Sequence, residues 1–279
     1  MLGEVKVRRV APDQVDDLVA AQNEMFSDYV IPMRVSREFF LEFLRSVGGK
    51  FSNVHVAMEG GRIVGYVNPV VDGRESWVGG IGVIPDCRKR GIGARLMEVA
   101  EEFSRAEGAE DISLEYILGN TRAERLYQRL GYRQNRTYLS AEGRPERFAG
   151  FGDMPEKATL AEVLELHERA YGDTCWQKRK AFSIIQSAKG AECYKVDGGF
   201  VLVRKIESNG YIPYLGVVPE KRRQGVATSL AKFALNRLHE LGAFKVVLYN
   251  VNDDAQTLRL LDQFGFGVTM KQVELRKTL

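Results

Sequence analysis

Apolar residues along the first half of the chain follow two periods, one typical of strands and one of helices. Alternation or short apolar runs predict strands over 5–10, 54–58, 63–71, 77–84, 112–117 and 132–139. Apolar residues three and four positions apart predict helices over 12–25, 37–47, 91–107 and 121–130. Gly108 and Gly131 follow the last two helices, where a glycine commonly ends a helix. This order predicts an α/β fold, a mixed sheet flanked by helices.

The same pattern recurs in the second half of the chain at a constant offset of 134 residues. The offset holds without a gap over roughly 50 residues, and a repeat of 134 residues is too long for a solenoid unit, which typically has about 20–50. The identities include Gly82 and Gly216, Arg88 and Arg222, Gly91 and Gly225, and Gly131 and Gly265. We therefore predict two tandem copies of one domain, over 1–145 and 150–279, rather than two unrelated α/β units. The glycine- and proline-rich stretch 143–155 is expected to join them.

Composition excludes several classes of protein. The chain has 279 residues, of which 44% are hydrophobic, and its net charge of +3 is too balanced to indicate nucleic-acid binding. It contains no apolar run of about 18 residues that could span a membrane, and its N-terminus lacks the apolar core of a signal peptide. Three separated cysteines and three scattered histidines predict a cytoplasmic protein without disulfides and without a metal site.

The segment 83–94 joins a strand to a helix and has the features of an anion site. Gly91 and Gly93 let backbone N–H groups approach an anion, and the helix start adds free donors and a positive dipole. Arg88, Lys89 and Arg90 add cationic charge beside these donors. The second copy repeats the design in Arg222, Arg223, Gln224, Gly225, Val226 and Ala227. Neither copy has the Walker A or Rossmann glycine pattern. Two interpretations of the segment remain: a cradle for a pyrophosphate, or a turn whose arginines are only solvated.

The pattern R-x-x-G-x-G/A after a strand that ends Val-x-Pro resembles the acetyl-CoA signature of the GNAT N-acetyltransferases. It occurs at 88–93 and again at 222–227. Further along the first copy, Leu114-Glu115-Tyr116, Asn120, Ala123, Leu126-Tyr127 and Gly131-Tyr132 resemble the second conserved stretch of that family. The resemblance is strongest over 50–140 and 190–275, and it implies two tandem GNAT domains.

This resemblance implies an acetyl-CoA site in each copy. In the first copy the implied cofactor-binding residues are Ile81, Val83, Arg88, Lys89, Arg90, Gly91, Ile92, Gly93, Ala94, Asn120 and Ala123. In the second copy they are Val217, Arg222, Arg223, Gln224, Gly225, Val226 and Ala227. A primary amine of a small molecule or a peptide would attack the thioester directly. Tyr127 stands at the family's general-acid position, and Glu115 stands where some relatives hold a base, often acting through water.

The two copies differ at these catalytic positions. Adding 134 takes Glu115 to Tyr249 and Tyr127 to Leu261, and leucine cannot donate a proton. We therefore expect the first copy to be catalytic and the second to be degenerate, with its binding of CoA left open. Tyr249 or Tyr214 could serve the second copy instead. A non-catalytic acetyl-CoA sensor or scaffold, or a transferase of longer acyl groups, are the alternatives.

Further expectations follow from the family's usual architecture. The segment between the first two helices and the last strands usually lines the acceptor pocket, which points to Phe26, Tyr29, Arg34 and Tyr138. Cys87 lies beside the cradle and is interpreted as a passive loop residue. The family ends with two strands after the last helix, and the first copy needs its second one from 147–151 or from the other copy. The internal pseudo-dimer favours a monomer. The charge balance and the lack of a long apolar run predict no nucleic-acid or membrane partner.

Overall fold

The structure, a computed structural model, describes residues 4–31, 33–150, 152–172 and 174–279. The chain divides into two compact units. Residues 1–136 together with 273–279 form the first unit, and residues 137–272 form the second unit. The domains expected from the repeat, 1–145 and 150–279, follow the order of the chain, whereas each compact unit also takes in a short segment from the other copy.

The sheet of the first unit begins with three antiparallel pairings and continues with a parallel one. Its strands, in spatial order, are β1 (Lys6–Arg9), β2 (His55–Glu59), β3 (Arg62–Asp72), β4 (Glu75–Val83) and β5 (Asp111–Ile117), followed by the unit's parts of β13 (Gly267–Thr278) and β6 (Arg133–Gly143). Its helices are α1 (Val15–Met25), α2 (Arg37–Ser46), α3 (Ile92–Ala106) and α4 (Thr121–Arg129). A methyl group on Gly65 would meet Leu96 of α3, while one on Gly82 would meet Met25 of α1. Helices α1 and α3 therefore cover opposite faces of this sheet.

The second unit has the same plan. Its strands are β7 (Glu156–Lys157), β8 (Glu192–Val196), β9 (Gly199–Ile206), β10 (Asn209–Tyr211), β11 (Leu215–Val217) and β12 (Lys245–Asn252), with the remaining parts of β6 and β13. Its helices are α5 (Leu160–Ala170), α6 (Trp176–Arg179), α7 (Ala181–Ala188), α8 (Val226–Glu240) and α9 (Ala255–Gln263). Strand β10 pairs in parallel with β12, just as β4 pairs with β5 in the first unit.

The repeat buries the same positions in both units. In the first unit Val67, Leu96, Ala100 and Ile112 are fully buried, and so are the residues 134 positions later, Val201, Leu230, Ala234 and Val246. Apolar side chains at these strand and helix positions pack each helix against its sheet. The expected fold class, a mixed sheet flanked by helices in two repeated copies, is confirmed.

The last strands of each unit include residues from both copies of the repeat. Within the first unit, Arg276 of β13 donates two hydrogen bonds to Asp111 of β5, at 3.1 and 2.6 Å. Within the second unit, residues 138–143 of β6 pair antiparallel with β12. The strand that the first copy lacks is thus residues 273–278 from the other copy. Residues 147–150 form no strand, and residue 151 lies outside the described residues.

Candidate active site

The turn before α3 has the backbone geometry of an anion cradle. Lys89 and Gly91 adopt left-handed conformations, with φ of 61° and 80°, and the helix begins at Ile92. The carbonyl of Gly91 accepts the N–H of Arg95 at 3.0 Å. The N–H groups of the first helical turn, from Ile92 to Ala94, have no acceptor inside the helix because no turn precedes them. They carry the positive end of the helix dipole at the mouth of the turn.

The second unit repeats this turn in detail. Arg223 and Gly225 have φ of 62° and 83°, and the carbonyl of Gly225 accepts the N–H of Ser229 at 2.9 Å. Arg222 donates to the carbonyls of Val217 at 3.1 Å and Ala170 at 3.0 Å. The side chain of Gln224 donates to the carbonyl of Glu220, and Val226 and Ala227 open α8. The backbone of the cradle is therefore the same in both units.

Two of the three cationic side chains in the first turn are already paired inside the unit. Arg88 donates to both carboxylate oxygens of Asp28 at 2.6 and 2.8 Å, and also to the carbonyls of Val83 and Met25. Its guanidinium holds the pKa of Asp28 well below the usual range. Arg90 donates to both oxygens of Glu59 at 2.9 and 2.7 Å. The exposed Lys89 and the backbone N–H groups remain to face an anion.

Strands β4 and β5 run side by side only at their beginnings. Glu75, Ser76 and Trp77 pair with residues 111–113, and in the part of the chain that the structure describes the rest of β4 pairs with β3 alone. A bulge follows at once, because Asn68 pairs with Gly80 while Pro69 pairs with Val78. Gly79 is the extra residue of this bulge. The outer part of β4, which includes Ile81 and Val83, thus offers its backbone to an extended ligand between the two strands.

Polar side chains gather over this bulge, on the α1 face of the sheet. The indole N–H of Trp77 donates to Oε2 of Glu115 at 2.6 Å. A methyl group on Gly79 would meet the Trp77 ring at 2.7 Å and Nδ2 of Asn68 at 2.9 Å. A methyl group on Gly80 would meet the hydroxyl of Tyr66 at 2.6 Å. The two glycines are needed because those side chains occupy the space above them.

Tyr127 lies on α4. Its ring packs against Tyr116 and Tyr132, with centroids 6.3 and 6.0 Å apart, and 5% of the residue is exposed. Burial raises the pKa of Tyr127, so its hydroxyl stays protonated at neutral pH. The side chain of Asn120 caps α4 by accepting the N–H of Ala123 at 3.2 Å.

The second unit fills the corresponding region with its own side chains. At the positions of Gly79 and Gly80 it has Pro213 and Tyr214, and the strand is interrupted there between β10 and β11. Tyr214 is 2% exposed, and its hydroxyl donates to the carbonyl of Gln177 at 2.9 Å. Lys178 donates to the carbonyl of Pro213 and lies 4.7 Å above the Tyr214 ring. Tyr249, in place of Glu115, is half exposed and stacks on Tyr211, while Leu261, in place of Tyr127, is buried.

The residues expected to line the pocket for the acceptor substrate lie in both units. Phe26 and Tyr29 pack edge to face at 5.1 Å, and Phe26 lies against Gly82 of β4. Arg34 is exposed, and Tyr138 is buried in the second unit, where it pairs with Asn252. Cys87 is a half-buried free thiol whose sulfur lies 4.0 Å from Glu59.

Sequence reasoning missed Tyr66, Asn68, Trp77 and the glycine pair at 79–80. Their signal was present in the repeat itself. At an offset of 134 these positions become Phe200, Leu202, Tyr211 and Pro213-Tyr214, so they are places where the two copies differ in polarity or bulk. Comparing the copies for differences, and not only for identities, would have pointed to this face of the sheet.

Comparisons with known proteins identify the family. The model of the acetyltransferase (GNAT) family matches residues 16–132 and again 162–266. The chain therefore belongs to the GNAT acetyltransferase family, and it contains two such regions in tandem, as predicted. An N-alpha-acetyltransferase of Sulfurisphaera tokodaii is 24% identical over 144 residues, which cover 47% of this chain and 81% of that protein.

Two solved structures share the fold over nearly the whole chain. A GCN5-related N-acetyltransferase from Sphaerobacter thermophilus has a TM-score of 0.73 at 20% identity and covers 98% of this chain and 95% of that one. A tandem GNAT protein from the clavulanic acid biosynthesis pathway has a TM-score of 0.68 at 15% identity, with 99% and 98% covered. Among the described residues, no helix is both long and apolar enough to cross a membrane.

Proposed function

We propose that the chain is an N-acetyltransferase that moves an acetyl group from acetyl-CoA to a primary amine, and that the reaction takes place in the first unit. The observation that carries this proposal is the bulge of β4 at Gly79, where the edge of the strand that faces β5 is no longer paired and where Glu115 is bonded to Trp77. At the corresponding place in the second unit, Pro213 and Tyr214 fill the space. The first unit thus has two glycines and a nearby carboxylate where the second has a proline and a buried tyrosine.

The residues present in the first unit fit acetyl-CoA. The left-handed turn at Lys89 and Gly91 directs the N–H groups of Ile92, Gly93 and Ala94 outward, as a pyrophosphate requires. The unpaired edge of β4 beyond Trp77 suits an extended chain with amide groups. When bound, acetyl-CoA would supply the acetyl group as a thioester. Arg88 and Arg90 would act mainly by shaping the turn, since each is already bonded to a carboxylate.

Glu115 and Tyr127 would divide the two proton transfers. An amine attacks only when it has lost its proton, and its reference pKa is about 8 for an α-amine and about 10 for lysine. Glu115, held by the Trp77 indole at 2.6 Å, would accept that proton directly or through water. Tyr127, kept protonated by burial, would donate a proton to the departing sulfur. The acceptor would enter from the α1 face, where Phe26 and Tyr29 lie.

The second unit would have no catalytic role. Its cradle has the same backbone as the first, so it could still hold the nucleotide part of CoA. Pro213 lacks an N–H at the position of Gly79, and the Lys178 ammonium bonds to its carbonyl. At the positions that correspond to Glu115 and Tyr127 it has Tyr249 and Leu261. We expect this unit to support the fold and not to transfer acetyl groups.

A thiol-release assay with a panel of amines tests the proposal. The panel is alaninamide, Nα-acetyl-lysinamide, spermidine and glucosamine, each with acetyl-CoA, and the products are identified by mass. We expect acetylation of at least one amine, and a fall in kcat of about 100-fold for Tyr127→Phe. Tyr132→Phe removes the same hydroxyl from the neighbouring ring, 6.0 Å away, and should keep its activity.

The outcomes separate the alternatives. A protein that binds acetyl-CoA but acetylates no amine of the panel would be the sensor or scaffold considered above. A folded protein that does not bind acetyl-CoA would refute both the enzyme hypothesis and the sensor or scaffold hypothesis. Equal kcat values for wild type and Tyr127→Phe would remove the general-acid role from Tyr127.

A further inference from the structure

The last strand of each copy completes the sheet of the unit that is built mainly from the other copy. In the first unit residues 273–278 of β13 lie beside β5, and in the second unit residues 138–143 of β6 pair with β12. Strands pair through backbone groups that almost every residue has, so backbone pairing alone favours neither strand at either place. The side chains that meet there must therefore explain the exchange.

The strand that the first unit receives carries two adjacent cations. Arg276 donates to both carboxylate oxygens of Asp111 on β5, at 3.1 and 2.6 Å. Lys277 donates to both oxygens of Glu101 on α3, at 2.9 and 2.7 Å. Glu101 is 6% exposed, and its other cation, Arg105, lies farther away at 3.6 Å. Because a buried carboxylate is costly without a close cation, this receiving surface requires a basic strand.

The second unit has the same ion pair with its signs exchanged. The residue 134 positions after Asp111 is Lys245, and the residue 134 positions before Arg276 is Glu142. Lys245 donates to Glu142 at 2.9 Å. The receiving surface of the second unit is therefore basic at this position, and the strand that it receives is acidic.

The next position along the strand differs in size as well as in charge. Where the first unit has Lys277 and Glu101, the second unit has Gly143 and Leu235, and Leu235 is 1% exposed. A methyl group on Gly143 would come within 2.9 Å of the Phe266 ring. A lysine at the place of Gly143 would find no carboxylate at the place of Glu101 and little room beside the ring.

We infer that these two receiving surfaces select their strands, so that the first unit accepts β13 and rejects β6, while the second unit accepts β6 and rejects β13. If each copy used its own last strand, Glu142 would face Asp111, and Arg276 would face Lys245. Like charges that lie opposite each other destabilise a pair of strands. The partner of each surface is thus the last strand of the other copy, whatever reaction the protein catalyses.

The exchange also brings a residue of the second copy close to the proposed general acid. The ammonium of Lys277 lies 5.5 Å from the centroid of the Tyr132 ring, and that ring packs against Tyr127 at 6.0 Å. The second copy therefore contributes a strand to the unit that we propose as catalytic.

A chain in which the two strands trade these residues tests the inference without changing composition or net charge. This strand-swapped chain carries Glu142→Arg and Gly143→Lys on β6, together with Arg276→Glu and Lys277→Gly on β13. In the exchanged arrangement every contact described above is then mismatched. The same contacts are matched if each copy keeps its own last strand, so we expect the pairing to switch.

The substitution Ala141→Cys reports which strand β6 has as its neighbour. Ala141 lies opposite Leu248 of β12, and the residue 134 positions before Leu248 is Leu114 of β5. With the wild-type strands, Ala141→Cys should form a disulfide with Leu248→Cys and not with Leu114→Cys, as measured by peptide mass mapping after oxidation. In the strand-swapped chain this preference should reverse by about 10-fold or more, because several like-charged pairs are replaced by opposite ones.

A strand-swapped chain that still links positions 141 and 248 as efficiently as the wild-type strands do overturns the inference. If that chain does not fold, a pair of substitutions decides in its place. Asp111→Lys should lower the melting temperature by about 2–4 °C, and adding Arg276→Glu should restore it. No recovery in the double variant would mean that charge does not select the strand, and would overturn the inference as well.

Discussion

At the scale of single residues, the site depends on contacts that orient one side chain by another. Glu115 accepts a hydrogen bond at 2.6 Å from the indole of Trp77, which is itself buried with 2% exposure. Trp77 also packs near Phe43 of α2, with ring centroids 6.5 Å apart. A rigid aromatic side chain therefore helps to orient the carboxylate that we propose as base.

Trp77→Phe should lower kcat by between about 10-fold and 100-fold, because Glu115 loses the donor that fixes its geometry. Glu115→Gln should lower kcat at least as much. The double variant should be no worse than Glu115→Gln, since the two residues act as one unit. Steady-state kinetics with the amine panel measures this. Tyr211→Phe alters the equivalent position of the second unit and should keep wild-type kinetics; additive losses for the first two changes would disprove the coupling.

Lys178 makes a second prediction at this scale, for stability. Burial lowers its pKa to about 8, whereas an unfolded chain would keep it near 10.4. Between these values the unfolded chain binds a proton that the folded chain has released, so the free energy of unfolding should rise with pH across this window. Below pH 8 the buried ammonium is charged and its cost is fully present.

Lys178→Met should therefore stabilise the protein at pH 7, by about 1–3 kcal/mol, and should remove this rise between pH 8 and 10.4. Denaturant unfolding of both proteins at several pH values measures the difference, in which the titration of all other groups cancels. Parallel pH profiles for the two proteins would show that Lys178 is not desolvated.

At the scale of elements, the residue that begins each helix of the site has a defined structural role. Asn120 begins α4 by capping Ala123, and α4 carries Tyr127. Gly91 begins α3 in a left-handed conformation that turns the free N–H groups outward. In the second unit Asp254 caps α9 by accepting from Gln256 and Thr257. These residues cap or begin their helices because they stand at the first position, where the backbone N–H groups have no partner inside the helix.

Asn120→Ala should cost about 1 kcal/mol of stability and also lower kcat, because α4 would fray where it supports Tyr127. Asp254→Ala should cost a similar amount and leave kcat unchanged. Melting curves and kinetics on the two variants make the comparison. If Asn120→Ala instead weakened acetyl-CoA binding without lowering the melting temperature, Asn120 would be a cofactor ligand rather than a cap.

Local elements could be predicted from the sequence, whereas contacts between distant strands could not. The turn at 88–93 and the helix after it are determined by residues close together in the sequence. The repeat shows the same pattern a second time at 222–227. Trp77 meets Glu115 across 38 positions, and Arg88 meets Asp28 across 60. The bulge at Gly79 depends on the register of β3 with β4, which no local pattern records. These long-range pairings decide which polar groups meet.

At the scale of the whole molecule, the chain holds two copies of one fold with different contents. Both units have the left-handed turn, the parallel strand pair and the same buried positions. The first keeps glycines and polar side chains at its bulge, while the second has Pro213, Tyr214 and Leu202 there. Our central claim is that this difference makes the first unit the catalytic one.

The most direct test compares aspartate and asparagine at the two cradle glycines. Gly91 and Gly225 have nearly equal φ, 80° and 83°, and a β-carbon at either would meet no described atom within 4 Å. Asparagine and aspartate tolerate this conformation best among the larger residues, so both substitutions should carry similar strain. Only aspartate adds a negative charge that repels pyrophosphate.

We would measure acetyl-CoA-dependent turnover of the amine panel for Gly91→Asp, Gly91→Asn, Gly225→Asp and Gly225→Asn, with melting curves to confirm folding. We expect Gly91→Asp to lose turnover by at least about 10-fold relative to Gly91→Asn, as one repelled charge implies. The two variants at Gly225 should match each other and remain active. Loss of turnover in Gly225→Asp, with Gly91→Asp still active, would show that the reaction takes place in the second unit and not in the first.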